Sequence, residues 1–308
     1  MSKRKSNLLK AASVRLDSKS SFDDAVSAII ASSLAQFVVN WASLRKTDNP
    51  ESIHQMRVAL RRLRSGIVMF KQVAPAATFV RLRQGAKQIT SVLEPAREFD
   101  VFCESIRQGP LPQATPAAIC DPLLAVLENH RTAAYSQARL HIEAIETIVF
   151  VLGVIIFLAR KDWQTAVTGR KLQMPARKFA KSALEKLHAD VLKRGKRLPR
   201  LSDDARHELR IALKKLRYAT EFYGKLFDRS KRRKSMIEKA SALQDILGAH
   251  NDLVSLKRFV EVNKLARDPA LAASSEFILA WYAKQSSAAD KSLHQAWKKF
   301  KHAKTFWS

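Results

Sequence analysis

The chain has 308 residues, 46% of them hydrophobic, with only 8 Gly and 10 Pro, so a sizeable core is within reach. Lys and Arg number 55 against 28 Asp and Glu, a formal charge of +27, which favours polyanionic partners and sets up self-repulsion in the compact state. The two cysteines, Cys103 and Cys120, have neither CxxC nor Cys/His spacing, which argues against a disulfide framework or a zinc site and for a cytoplasmic chain.

Residues 1–20 are basic and carry no apolar run long enough for a signal peptide, so they read as a mobile tail, with a targeting role left open. From there on apolar residues recur at three- and four-residue spacing, without a strand pattern, and the expected class is all-α. A first helix covers Phe22 to about Arg45, with Phe22, Val26, Ile29, Ile30, Leu34, Phe37, Val38 and Trp41 facing inward. Asn49-Pro50-Glu51 starts the next: Asn caps free amides, Pro suits the first turn, and Glu complements the positive helix end. That helix runs to about Val73. Pro75 opens a helix to about Leu93, on which Arg83 and Lys87, four apart, share a face. Pro95 is expected to interrupt it, making Leu93–Phe102 a junction into a short helix, and Gly109–Pro116 is a loop. Asp121-Pro122 starts a long helix with a break near His141 or Gly153. The run Thr147–Ala159 is the most hydrophobic, yet shorter than the ~20 residues that cross a bilayer. It reads as a buried helix or a partner-helix surface, with no membrane insertion. A second series opens near Pro175, with a helix from Ala176 to about Arg197. Ser202-Asp203-Asp204 caps a helix to about Phe227, a basic turn covers Arg229–Lys234, and a further helix ends in LQDILGAHNDL, where Gly248 suits the exit. Asp268-Pro269 begins the last helix.

One motif occurs twice. HQMRVALRRLR spans His54–Arg64 and returns as HELRIALKKLR over His207–Arg217, 153 positions later. At about 100° per residue, His54, Arg57, Arg61 and Arg64 fall within one helical arc of roughly 80°, beside an apolar stripe of Met56, Leu60, Leu63 and Ile67. His207, Arg210, Lys214 and Arg217 repeat the arc beside Leu209, Leu213, Leu216 and Thr220. LGAHND after the second copy stands where LEPARE stands after the first, and Tyr282 follows Asp268-Pro269 as Tyr135 follows Asp121-Pro122. These matches divide the chain into related halves, 21–165 and 166–308. A lone basic stripe is usually a solvated face. A stripe repeated with its flanking histidine points instead to an anion.

Together, HQMRVALRRLR with LEPAREFDV and HELRIALKKLRY with LQDILGAHNDL resemble the CHAD domain, the conserved histidine α-helical domain. The resemblance spans Phe22 to the C-terminus. It implies two pseudo-symmetric four-helix-type bundles that bind inorganic polyphosphate along a basic cavity, with no catalytic activity and no cofactor. Lacking the ExExK signature of the CYTH domain often fused to such domains, the chain resembles a stand-alone member, cytoplasmic and associated with polyphosphate granules. Carried over position by position, the ligand set is His54, Arg57, Arg61, Arg64, Lys87 and Arg97 in one half, and His207, Arg210, Lys214, Arg217 and Asn251 in the other. Glu94 and Glu98 depart from the glycine and aspartate usual in the family.

The chemistry agrees with a bare phosphate chain. Arg offers bidentate forks to phosphate oxygens and Lys a point charge, and a ten-residue ladder spans ~15 Å at ~1.5 Å per residue. The stripes hold no aromatic platform for bases and the chain no helix-turn-helix, zinc-finger, RRM or KH signature, so nucleic-acid binding is the second reading. A phosphohydrolase is the third. The arcs carry almost no carboxylate for a metal, no P-loop occurs, and Glu98, Asp100, Asp245 and Asp252 lie scattered near the junctions. The histidines suit contact with phosphate or a structural hydrogen bond equally well.

Overall fold

The computed structural model describes residues 8–11, 14–114 and 116–308. Among these, α-helices account for the architecture and no strand occurs: α1 (Phe22–Leu44), α2 (Pro50–Phe70), α3 (Val80–Gln108), α4 (Asp121–Glu143), α5 (Ile145–Arg160), α6 (Gly169–Leu172), α7 (Ala176–Arg194), α8 (Asp203–Tyr223), α9 (Ser230–Val262) and α10 (Pro269–Lys301). The helix starts follow the capping chemistry of the sequence. Ser21 and Asp24 form a reciprocal capping box at α1, and the Asn49 side chain accepts from the Glu51 amide at 3.0 Å ahead of α2. Ser202 accepts from the Ala205 amide at 3.3 Å, and Asp268 from the Ala270 amide at 2.9 Å, with Pro269 in the first turn of α10.

Several breaks expected from sequence do not occur. Pro95 lies inside an unbroken α3. Its missing amide would have served Ser91, one turn back and exposed, where water can take the carbonyl instead. The first turn after Pro75 is 3₁₀, so α3 begins at Val80 and runs on to Gln108. Gly248 is not a helix exit, because α9 passes through it without a left-handed residue. Instead the Arg210 guanidinium lies over it, with Nη2 3.8 Å from where a Cβ would stand. The break after α4 falls at Ala144, where the chain turns by 53° into α5, while Gly153 stays helical.

The described part of residues 8–20 is anchored, which corrects the expectation of a mobile tail there. Val14 and Leu16 are buried in the main core, and the Leu9 carbonyl accepts from Asn40 Nδ2 at 2.9 Å. Ser20–Phe22 pairs with Met174–Ala176 through two backbone hydrogen bonds of 2.8 Å. Residues 1–7, 12 and 13 lie outside the described residues.

Helices pack in sequence order as α1–α2–α3–α4 and as α7–α8–α9–α10. Between the two series, α1 meets α7, α2 meets α8 and α4 meets α10, so each such contact joins helices that correspond in the repeated sequence. Two buried apolar clusters result, and both draw on both halves of the chain. The larger includes Phe22, Phe70, Phe79, Phe179 and Tyr223; the smaller gathers Phe102, Leu123 and Leu127 with Leu256, Val260 and Ile278. By length and composition α1 is apolar enough to cross a membrane, but its inward face carries polar groups committed to neighbours. Gln36 donates to Gln55 Oε1 at 2.7 Å and accepts from Arg62 Nη1 at 3.2 Å.

Candidate anion-binding site

The site is built on α2 and α8, the helices that touch where the two series meet. Each buries an apolar stripe: Met56, Leu60, Leu63 and Ile67 on α2, Leu209, Leu213, Leu216 and Thr220 on α8. That burial fixes the rotation of each helix and brings its basic arc to the edge of the core. Arg61 and Arg64 on α2, and Arg210, Lys214 and Arg217 on α8, are all partly buried. Among the described residues no carboxylate lies within 4 Å of Arg61, Arg64, Arg210 or Lys214.

The two arcs act on one another electrostatically. Burial, followed by repulsion from Arg210, Arg61, Arg217 and Arg57, pushes the Lys214 ammonium down to about 7. Two of those four arginines come from α2. Burial also lowers Arg210; Asp252 and Asp245 oppose that shift, whereas Arg61 and Arg217 add to it. On α2, burial lowers Arg64 and repulsion from Arg83 and Arg61 adds to it, so Arg83 of α3 belongs to the same cationic region. Lys87, four residues on from Arg83, is exposed on that face.

Other expected residues have structural duties. Arg57 is only 8% exposed; Nη1 donates to the Thr90 carbonyl at 3.1 Å and Nη2 meets Glu94 Oε1 at 3.0 Å, tying α2 to α3. Glu94, where the family usually has glycine, is thus the partner of a ladder arginine. The Arg217 Nε lies 3.5 Å from Glu221 Oε1, and its guanidinium stands over the Tyr218 ring. The histidines diverge. His54 is half-buried, and burial, then Arg97, Arg61 and Arg57, holds its imidazole below the ordinary range. His207 is exposed, with Nδ1 2.9 Å from the Asn251 Oδ1. Through this contact Asn251 ties the α8 histidine to α9.

The sequence reading missed three features. Burial, then Glu94, raises the Glu98 carboxyl, and burial raises Asp252; Asp252 is among the charges acting on Glu98, which brings α3 and α9 carboxyls to one place. His250 joins three helices, with Nε2 2.7 Å from Asp203 Oδ1 on α8 and Nδ1 3.1 Å from Ser286 Oγ on α10. Arg62, one position from Arg61, points the opposite way into the core, 5.3 Å from the Phe222 ring centre and within the field of Glu221. The 3.6-residue period places Arg62 off the basic arc, and that was the available signal.

The protein is thus, by class, an all-α protein whose touching helices α2 and α8 hold two half-buried arcs of arginine and lysine within one another's field. Comparison with known proteins makes the assignment specific: the CHAD domain family matches residues 28–261, and the chain belongs to that family. A similar solved structure is the CHAD domain from the plant Ricinus communis, at 26% identity and a TM-score of 0.82, covering 96% of this chain and 97% of that one. PptA from Streptomyces chartreusis shares the fold at 18% identity and a TM-score of 0.66, covering 91% of this chain and 100% of its own. No curated protein matches the chain.

Proposed function

We propose that the protein binds inorganic polyphosphate without acting on it, in one basic cavity lined by α2 and α8 and extended by α3 and α9. The observation that carries this reading is that Arg61 and Arg64 of α2 and Arg210 and Lys214 of α8 stand half-buried on touching helices, with no carboxylate among the described residues within 4 Å of any of them. Cations held together at partial burial destabilise the free protein, and a polyanion placed among them relieves their repulsion and offsets the cost of their desolvation. A linear phosphate chain supplies closely spaced oxygens for Arg61, Arg64, Arg210 and Lys214, with Lys87, Arg97 and Arg83 continuing the path along α3. None of these side chains is an aromatic on which a base could stack.

The test is competition for labelled long-chain polyphosphate against single-stranded and duplex DNA at equal phosphate concentration, with orthophosphate release followed with and without divalent metal. Polyphosphate should compete far better than either DNA, and no orthophosphate should appear. Equal competition by DNA would move the assignment to nucleic acid, and metal-dependent release would make the protein a phosphohydrolase. In cells, the binding reading places the protein in the cytoplasm on polyphosphate granules, which a fluorescent fusion would reveal as puncta that vanish when polyphosphate synthesis is blocked.

A further inference from the structure

α5 turns an apolar face to solvent. Ile145, Val149, Leu152 and Ile156 are 64%, 59%, 51% and 52% exposed, and they follow one another at the alternating spacing of four and three that seats one helix against another. Thr147, Val151, Val154 and Phe157 hold the opposite face in the core. Near the middle of the exposed face, Gly153 has nothing within 4 Å of where a side chain would begin, so a second helix could approach the backbone closely there. The apolar surface extends beyond α5, since Val38 and Val39 are each 37% exposed on α1, which packs against it. Contiguous exposure of this kind marks a contact surface.

Charge decides the occupant. In a chain of formal charge +27, the stretch from Thr147 to Ala159 has no charged residue, and Glu146 and Arg160 bracket it. Each stands seven positions from Gly153. An antiparallel pair of α5 helices centred on Gly153 therefore sets the Glu146 of each copy against the Arg160 of the other, and opposes the two helix dipoles favourably. Arg160 is free to turn: its side chain is 74% exposed, and its contact with Asp162 is 3.3 Å long. A lipid-facing helix would carry Trp at its edge and Lys or Arg along its polar side, and α5 has neither between its ends.

We propose that α5 is the docking site for α5 of a second copy of this chain, forming a two-fold antiparallel pair about Gly153. A helix face ~24 Å long and ~10 Å wide offers about 240 Å², well short of the ~800 Å² per partner of a standard interface. The dimer is accordingly weak and concentration-dependent.

Sedimentation of the protein, freed of nucleic acid in high salt and returned to moderate ionic strength so that exposed ion pairs are not screened, over concentrations bracketing the micromolar range, tests the pairing. The wild type should shift from monomer to dimer, and Leu152→Glu should remain monomeric with an unchanged melting curve. Glu146→Lys and Arg160→Glu should each weaken association by about fivefold, and the double variant should recover it, because the exchange restores both cross-copy pairs. A monomer at every concentration, a dimer indifferent to Leu152→Glu, or a double variant no better than the singles would overturn the proposal. Co-flotation of the wild type, but not Leu152→Glu, with neutral phosphatidylcholine vesicles would assign the face to lipid instead.

Discussion

Lys214 is the residue on which the energetics of the basic site turn. Its ammonium is held at about 7 against an ordinary 10.5, so between those values the folded chain binds fewer protons than the unfolded chain. Stability should therefore rise as pH climbs from about 7 toward 10.5, with the penalty fully present below 7. A bound polyanion reverses the sign at the site by favouring the protonated amine. Titration calorimetry at pH 8 in buffers of different ionisation enthalpy should show proton uptake on polyphosphate binding, and Lys214→Met should remove most of it; equal uptake in the variant would clear Lys214 of this role. Arg57 and Arg61 make a contrasting pair. Arg57→Ala leaves the Thr90 carbonyl and Glu94 without their partner and should cost about 1–2 kcal/mol in chemical denaturation. Arg61→Ala should leave stability unchanged or slightly raised, and should lower polyphosphate affinity by more than Arg57→Ala does.

At the scale of elements, the α2–α8 contact both builds the core and aims the ladders. Arg62 serves the core, since it reaches Gln36 on α1 and the Phe222 ring on α8. Arg62→Met should lower stability by about 2 kcal/mol in urea denaturation, while the folded variant keeps its polyphosphate affinity. A selective loss of affinity would instead make Arg62 part of the site. Much of this layer was legible in the sequence. The start signals at Asn49, Ser202 and Asp268 marked helix starts, and the period of the motif separated Arg61 and Arg64 from the apolar stripe. What was not legible depended on neighbours distant in sequence. Pro95 was tolerated because Ser91 faces water, Gly248 lies under Arg210 inside α9 and not at a helix end, and Arg57 was taken up by Glu94 on another helix. The second-half histidine found Asn251 on α9, a contact that local pattern does not encode.

For the whole molecule, α2, α3 and α8 bring part of the cation excess together, so one polyanionic ligand would relieve part of the self-repulsion. Affinity for polyphosphate should fall steeply and log-linearly with salt, as counterions released by each phosphate contact require, and the slope should shallow when Arg61 and Arg64 are replaced together. A shared cavity also binds a long chain with high effective concentration once one ladder is engaged, an advantage a short chain lacks. The most direct measurement is the affinity and stoichiometry of long-chain polyphosphate for two charge-reversed proteins, Arg61→Glu with Arg64→Glu, and separately Arg210→Glu with Lys214→Glu, each checked for intact helicity. One cavity requires that either reversal alone weaken binding severely; full affinity retained at half the stoichiometry in either protein would mean two independent sites and would contradict it.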